Sequence, residues 1–240
     1  MELEFGDRTF EPNTRTLNDM LPVLLDRIKL GKSEEILYYM FTDVSRNEAE
    51  HRRMVEASLK YDITVILPKN LGREYVKTLG HYHPQILGTD LSYPELYQVL
   101  EGEAHFILQR LEKGIVADAV AVKALRGQCV LIPPNYGHVT VNPTGRQIRI
   151  ANWVFRDFAS VYKDYKDKHG AAYYELSDGK FVENESYTRL PKLRFSEPVD
   201  KKLLGLGKDD DMYVLVEDLR RLEFLKKPQD YGELFEKTLN

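Results

Sequence analysis

The feature that most constrains this chain is a series of short strand-like segments between residues 61 and 156. Apolar or alternating stretches such as YDITVILP, ELYQVLEG, AHFILQRL and GQCVLIPP recur about every 10–12 residues, separated by Gly, Pro and Asn. This spacing is typical of a sandwich or barrel, because each stretch is long enough for one strand and little more. We therefore place an all-β core at 61–156 and expect a mainly β fold.

The residues before this core have mixed helical and strand patterns. Thr16 can cap a helix that ends at Gly31, and ILYYMFTDV reads as a buried strand. Ser45 and Glu48 form the capping-box pattern of a second, short helix. We expect residues 1–60 to form a layer of helix and strand packed on the barrel.

Helical patterns return after the core. Charge spacing in FASVYKDYKDKH predicts a helix, and YYEL and LRFSEP resemble short strands. Two further helices are predicted near the C-terminus, one ending at Leu225 and one over DYGELFEKTLN. We expect residues 157–240 to form a helical extension and the whole chain to be one structural domain.

Composition excludes several classes of protein. The chain has 34 Lys and Arg against 38 Asp and Glu, and this net charge of −4 argues against nucleic acid as the main partner. Cys129 is the single cysteine, which excludes an internal disulfide framework and a cysteine-based zinc site. The sequence contains no long apolar run and MELEFGDRTF does not resemble a signal peptide, so we expect a cytoplasmic protein without a membrane partner.

Three histidines and one glutamate stand among the predicted strands with a spacing that suits a metal ion. His81 and His83 form an H-x-H pair, and residues two apart on a strand face the same side. Glu95 lies in the strand that follows, and His138 comes after the turn PPNYG. Three imidazoles and one carboxylate form a mixed donor set suited to Fe(II), Mn(II), Ni(II), Co(II) or Zn(II).

The spacing H-x-H … E-x6-G, followed by G-x5-P … H-x3-N, resembles the two-motif signature of the cupins. These are small β-barrels, of the double-stranded β-helix or jelly-roll type, that hold a metal with three His and one Glu. The motifs here are GHYHPQILGTDLSYPELYQVLEG (80–102) and GQCVLIPPNYGHVTVN (127–142). The first contains an inserted loop near 84–92, and Asn135 stands where Gly is usual. Since Asn tolerates the left-handed conformation better than most residues, we expect the turn to survive.

Within the cupins, TLGHYH, PELYQVLEGEAHFILQ and IPPNYGHVTVNP resemble the archaeal-type cupin glucose-6-phosphate isomerases, over about residues 36–165. This resemblance implies that the metal ligands are His81, His83, Glu95 and His138. It also implies a substrate phosphate site formed by Thr64, Thr78 and the backbone amide of Gly80, with Tyr39 as a looser candidate.

The same resemblance implies the catalytic residues Glu95, Tyr97 and Tyr162. Tyr93 shares the face of Glu95 by alternation and is a candidate for contact with substrate. Ser160 departs from the family, which has a His two residues before this second tyrosine. Glu95 is the plausible base for proton transfer between C1 and C2, although a ligand role lowers its basicity. A hydride shift would need no base, and both routes remain open.

The implied activity is metal-dependent interconversion of glucose 6-phosphate and fructose 6-phosphate in glycolysis and gluconeogenesis. The cofactor would be one divalent metal per subunit, with Fe²⁺ favoured and Mn²⁺, Ni²⁺, Zn²⁺ or Co²⁺ as options. We expect a phosphorylated sugar as partner and a homodimer formed through barrel strands. Two alternatives stay open: another metal-dependent cupin enzyme, such as a dioxygenase or a different sugar-phosphate isomerase, and a non-enzymatic sugar-phosphate sensor.

Overall fold

Sixteen β-strands form most of the regular structure in this computed structural model, which describes residues 1–239 without the side chain of Ile28. They are β1 (Leu3–Phe5), β2 (Arg8–Phe10), β3 (Asn13–Thr16), β4 (Ile36–Phe41), β5 (Leu59–Ile66), β6 (Asn70–Leu71), β7 (Glu74–Tyr75), β8 (Glu95–Glu101), β9 (Glu103–Glu112), β10 (Ile115–Leu125), β11 (Cys129–Ile132), β12 (Tyr136–Val141), β13 (Ile148–Phe155), β14 (Tyr173–Glu175), β15 (Phe181–Glu183) and β16 (Arg194–Ser196).

Two sheets form the barrel. The larger has six strands in the order β11–β8–β13–β5–β4–β3, and the smaller has four in the order β12–β9–β10–β16. All neighbours in these two sheets are antiparallel except β10 and β16. From β8 to β13 the chain passes repeatedly between the sheets, which share an apolar interior. The predicted mainly β, cupin-type fold is confirmed.

The larger sheet extends beyond the predicted core. Strands β3 and β4 lie before residue 61 and pair with each other, and β4 pairs with β5. At the other end of the chain, β16 joins the smaller sheet through Arg194, Phe195 and Ser196. Both flanking segments therefore contribute strands to the barrel. β4 provides backbone hydrogen-bond partners for β5, and β16 provides them for β10.

The helices are short. The α-helices are α1 (Leu17–Met20), α2 (Arg27–Leu30), α3 (Glu48–Glu56), α4 (Lys163–Asp167) and α5 (Gly232–Glu236). The 3₁₀ helices are Leu21–Val23, Lys201–Leu204, Met212–Glu217, Leu219–Leu225 and Pro228–Asp230. Among the described residues, no helix is long and apolar enough to cross a membrane.

Thr16 caps α1 as predicted, through a capping box with Asp19. The helix ends at Met20, however, and does not reach Gly31. Pro22 has no N–H with which to continue the helical hydrogen bonds, so the chain forms a 3₁₀ turn and becomes extended before α2 begins.

The predicted Ser45–Glu48 capping box is wrong. Asn47 is the N-cap of α3, and its side-chain oxygen accepts the N–H of Glu50 at 2.9 Å. The Ser45 side chain is fully buried, and its hydroxyl accepts a hydrogen bond from Arg8 instead. A capping oxygen must be free to turn toward the helix, and this one is already used.

The C-terminal extension covers the outer face of the larger sheet. The Trp153 indole donates to the Met212 carbonyl at 3.1 Å, and the Tyr213 ring lies 4.8 Å from that of Tyr61. The first predicted helix is present as two 3₁₀ helices, because the non-helical backbone of Asp218 interrupts it. We call this cover the outer apolar layer; its members include Tyr61, Ile63, Val65, Leu96, Leu131, Trp153, Met212, Tyr213 and Leu225.

Candidate metal centre and surrounding site

Two facing sheets and one connecting segment bring the predicted metal ligands together. Glu95 begins β8 in the larger sheet, and His138 lies in β12 of the smaller sheet. The segment that carries His81 pairs with β12, because the N–H of each of these two histidines donates to the carbonyl of the other, at 3.2 and 3.1 Å. Gly80 precedes it with φ +82°, and a Cβ there would lie 2.6 Å from the Tyr165 side chain. The H-x-H pair thus depends on a glycine at this point.

The four side chains converge on one point. One ligand atom from each lies within 4.8 Å of the others. Nε2 of His83 lies 3.1 Å from Nε2 of His81 and 3.3 Å from Oε2 of Glu95, and His138 Nε2 lies 3.1 Å from the same oxygen. We call this group the histidine–glutamate cluster: His81, His83, Glu95 and His138.

A backbone carbonyl fixes the orientation of one ligand. His83 Nδ1 lies 2.8 Å from the carbonyl oxygen of Tyr93. Because a carbonyl only accepts, Nδ1 carries the proton and Nε2 presents a lone pair to the cluster. Metal-bound histidines commonly have such a partner on their other nitrogen.

Burial and mutual contacts set the charges in the cluster. Burial, together with the other histidines, holds the pKa of His81 well below its usual range, and burial also lowers the pKa of His138. Burial alone would raise the pKa of Glu95, but its contacts with His138 and His83 hold the pKa well below the ordinary value. Neutral imidazoles and an ionised carboxylate are the forms that bind a divalent cation.

Two buried atoms of the cluster lack hydrogen-bond partners among the described residues. These are Nδ1 of His138 and Oε2 of Glu95, which lies 3.1 and 3.3 Å from Nε2 of His138 and His83 without forming a hydrogen bond to either. An anionic oxygen buried without a donor is unfavourable, whereas a cation between it and the imidazole nitrogens would stabilise it. The residues present therefore fit a divalent metal with mixed nitrogen and oxygen ligands.

Both predicted catalytic tyrosines lie beside the cluster. The hydroxyl oxygen of Tyr97 is 3.0 Å from Nε2 of His138. Burial and the charge of Glu95 raise the pKa of Tyr97 well above its usual value, so the phenol keeps its proton. The ring of Tyr162, at the start of α4, lies 5.5 Å from the ring of His81.

The predicted phosphate residues lie on two walls of the barrel. The Thr78 hydroxyl accepts the N–H of Thr140 at 3.0 Å, which leaves its own O–H free to donate. Within residues 1–239, the buried N–H of Gly80 meets no hydrogen-bond acceptor. Thr64 lies on β5 and pairs with Ile150 of β13. Free donors of this kind suit an anion.

Tyr39 is not brought to this group. It pairs with Val65, so it faces the outer apolar layer, on the opposite side of the sheet from Thr64. Its neighbour Tyr38 faces the interior instead, and the Tyr38 hydroxyl accepts the N–H of Leu79 at 3.2 Å. Alternation along β4 separates the two tyrosines, but only the register with β5 reveals which one faces inward.

The backbone at Asn135 is left-handed as predicted, with φ +69°. Its side chain also holds the inserted loop: Oδ1 accepts the N–H of Ser92 at 2.8 Å, and Nδ2 donates to the Asp90 carbonyl at 3.0 Å. Glycine could adopt this conformation, but it could not make these two contacts.

Sequence reasoning missed an aromatic group beside His83. Tyr93 stacks on Phe155 with ring centres 4.5 Å apart, and the Phe158 ring lies 4.5 Å from that of His83. The aromatic run WVF at the end of β13 was the available signal. The Tyr93 ring therefore packs with phenylalanines, while its backbone orients the ligand.

A family model described as Glucose-6-phosphate isomerase (GPI) matches residues 14–192. Glucose-6-phosphate isomerase of Thermococcus gammatolerans is 28% identical over 180 residues, which cover 72% of this chain and 86% of the relative. For the enzyme of the same name from Pyrococcus furiosus, identity is 29% over 133 residues, covering 54% of this chain and 62% of the relative. Among solved structures, oxalate decarboxylase from Bacillus subtilis gives a TM-score of 0.37 at 15% identity, covering 52% of this chain and 27% of that one.

Proposed function

This chain belongs to the glucose-6-phosphate isomerase family, and we propose that it interconverts glucose 6-phosphate and fructose 6-phosphate with a divalent metal held by the histidine–glutamate cluster. The observation that carries the proposal is the convergence of three imidazoles and one carboxylate, each with a ligand atom within 4.8 Å of the others. The family match agrees with the resemblance seen in the sequence, and it makes an isomerase the expected enzyme class.

We propose that the substrate phosphate binds at Thr64, Thr78 and the backbone of Gly80. The free hydroxyl proton of Thr78 and the unpaired N–H of Gly80 support this site. The fixed backbone around them favours binding because the donors lose little freedom when the anion arrives. Tyr38 supports the same segment, because its hydroxyl accepts the N–H of Leu79, whereas Tyr39 faces the outer apolar layer and lies outside the site.

We propose that the histidine–glutamate cluster and Tyr97 act on C1 and C2 of the substrate. When bound, a divalent metal supplies positive charge beside the sugar oxygens on which negative charge develops. Glu95 is ionised and is the candidate base that removes the C2 proton and returns it to C1. Tyr97 keeps its proton and can donate a hydrogen bond to a sugar oxygen. Tyr162 and Tyr93 complete the wall around the substrate.

Proton transfer and hydride transfer differ in their exchange with solvent. A carboxylate that carries the proton exchanges it with water, whereas a hydride shift keeps the hydrogen on the substrate. We therefore expect solvent deuterium to enter C1 or C2 during turnover in D₂O, as NMR would show. Complete retention would assign the hydride route and remove the base role from Glu95.

The test of the proposed function is an isomerase assay on chelator-stripped protein. Fe(II), Mn(II), Ni(II), Co(II) and Zn(II) are added back singly, and we propose that Fe(II) restores the highest activity. His169→Asn serves as a histidine control outside the cluster, because Asn tolerates its φ of +59°. Full activity without metal would contradict the metal role. If no metal restored turnover, the alternative cupin enzyme or the sensor would gain support.

Three finer points belong to the same proposal: a cytoplasmic location, a role in glycolysis and gluconeogenesis, and a homodimer. The dimer would form through barrel strands, because β3 and β11 are the outermost strands of the larger sheet. Sedimentation of the purified protein measures the oligomeric state directly, and a monomer would contradict this part.

A further inference from the structure

Lys60 and Asp62 form an ion pair on the wall of the barrel that carries the cluster. Lys60 Nζ lies 2.9 Å from Asp62 Oδ2, and 27% and 14% of the two side-chain surfaces are exposed. Residues two apart on β5 share one face. That face is the inner one, because Tyr61 and Ile63 point into the outer apolar layer.

The strand register places this pair next to the cluster. Lys60 pairs with Val154, and Val154 pairs with Glu95 on its other side. Strands lie about 4.8 Å apart, so Lys60 is about 10 Å across the sheet from a cluster ligand on the same face. The adjacent row, paired in the same way, consists of Asp62, Asn152 and Tyr97.

The Lys60 ammonium is charged and has donors available. Burial lowers the pKa of Lys60, but the negative charges of Asp62 and Glu95 outweigh burial and raise it. An ammonium has three N–H donors, and Asp62 is the one acceptor that contacts Nζ within residues 1–239. Asp62 is fixed from its other side, because Oδ1 accepts the N–H of Asp43 at 2.8 Å.

The pair lies at a defined distance from the proposed phosphate site. Lys60 and Thr64 share the inner face of β5 four residues apart, which is about 13 Å along a strand. A sugar phosphate held by its phosphate at Thr64 and extended toward the cluster would therefore bring C1 and C2 toward Lys60.

We propose that Lys60 contacts the substrate and donates to the sugar oxygens at C1 and C2, with Asp62 as its positioning residue. This inference rests on the proposed function, because it assumes the sugar-phosphate substrate and assigns Lys60 to the C1–C2 end of it. Negative charge develops on these oxygens when the proton leaves C2. A fixed ammonium stabilises that charged state more than it stabilises the neutral sugar.

Two probes separate the reacting end from the phosphate end. Arabinonate 5-phosphate has a carboxylate where the charge develops, and glucitol 6-phosphate has a neutral alcohol there. In metal-loaded protein, Lys60→Met should weaken binding of the first probe about 10- to 100-fold and of the second less than about 3-fold. Lys60→Arg should recover most of the loss. Lys123→Met, at an exposed lysine on β10, should bind both probes like the wild type.

Asp62→Asn is the second variant. It retains the Lys60 ammonium but removes the negative charge that positions it, so it tests the inference even if Lys60→Met fails to fold. This variant should bind arabinonate 5-phosphate about 3- to 10-fold more weakly than the wild type, with a smaller loss of affinity for glucitol 6-phosphate. A purely structural role would not produce this difference between the probes. Equal losses for both probes, or no loss in either variant, would overturn the inference. If the wild type isomerises its substrate but both variants bind the probes as tightly as the wild type does, the inference about Lys60 fails while the proposed function stands. A wild type that binds neither probe and does not isomerise overturns the proposed function as well.

Discussion

The two faces of β5 differ in chemistry and in what covers them. Lys60, Asp62 and Thr64 face the barrel interior, whereas Tyr61 and Ile63 face the outer apolar layer. In an ordinary one-sided sheet the apolar face is buried against the core and the polar face meets water. Here the polar residues of β5 face the barrel interior, on the side of the histidine–glutamate cluster, so the apolar face needs its own cover, and the C-terminal extension supplies it. Along residues 60–64 of β5, the polar residues near the histidine–glutamate cluster and the apolar residues of the outer layer therefore lie on opposite faces.

The largest expected effect on the inner face comes from loss of a cluster ligand. His138→Ala and Glu95→Ala should each lower kcat more than about 1,000-fold, because each removes a ligand of the proposed metal, and Glu95 is also the proposed base. The histidine variant should also lose bound metal, measured by mass spectrometry after desalting. Both variants should unfold in urea near the wild-type midpoint when each is compared without metal. Retained turnover in either variant would contradict the assignment.

The outer face should show the reverse behaviour. Trp153→Ala removes a fully buried side chain and its bond to Met212, so the free energy of unfolding should fall by about 3–5 kcal/mol. Urea unfolding measures this change. In protein that remains folded, kcat should stay within about threefold of the wild type. A selective loss of kcat without loss of stability would break the division between the faces.

A smaller effect is expected at the proposed phosphate site. Thr78→Val removes one hydroxyl donor while preserving shape, so KM for both sugar phosphates should rise about tenfold. Metal content should be unchanged, and Thr78→Ser, which keeps the hydroxyl, is the matched control. An unchanged KM in the valine variant would remove Thr78 from the site.

The smallest effect is expected at the inserted loop. Asn135→Gly keeps the left-handed backbone but removes two contacts to Ser92 and Asp90, so stability should fall by about 1 kcal/mol. Amide hydrogen exchange should become faster across 84–92 and stay unchanged in β5. Asn135→Asp retains an acceptor for the N–H of Ser92, so its stability and its exchange rates should lie between those of the wild type and those of Asn135→Gly. Unchanged exchange would show that the loop is held by other contacts.

Local spacing predicted the cluster, but long-range register decided the surrounding residues. His81, His83, Glu95 and His138 were identified from spacing and family resemblance, and the structure brings them together. Tyr39 was named from the family resemblance alone, which carries no strand register; its pairing with Val65 turns it toward the outer apolar layer.

Two groups of polar residues show where sequence patterns give too little information. Lys60 and Asp62 alternate with apolar neighbours, and that pattern normally indicates a solvent-facing side. Ser45 has the sequence position of a helix cap, but a distant arginine uses its hydroxyl. The arginine that contacts Ser45 lies 37 residues away. The strands that decide which face of β5 points inward, β4 and β13, also lie elsewhere in the sequence, so local patterns carry no information on either point.

The position of Glu95 and His138 in opposing sheets has a consequence for thermal tolerance. An ion shared by these residues would join β8 to β12 much as a rivet joins two plates. Binding that occurs only in the folded state adds about 4.1 kcal/mol of stability when free ligand is 1,000 times its Kd. The melting temperature would then rise with the concentration of free metal ion, so the heat resistance of the protein would depend on how much of that metal the cell supplies.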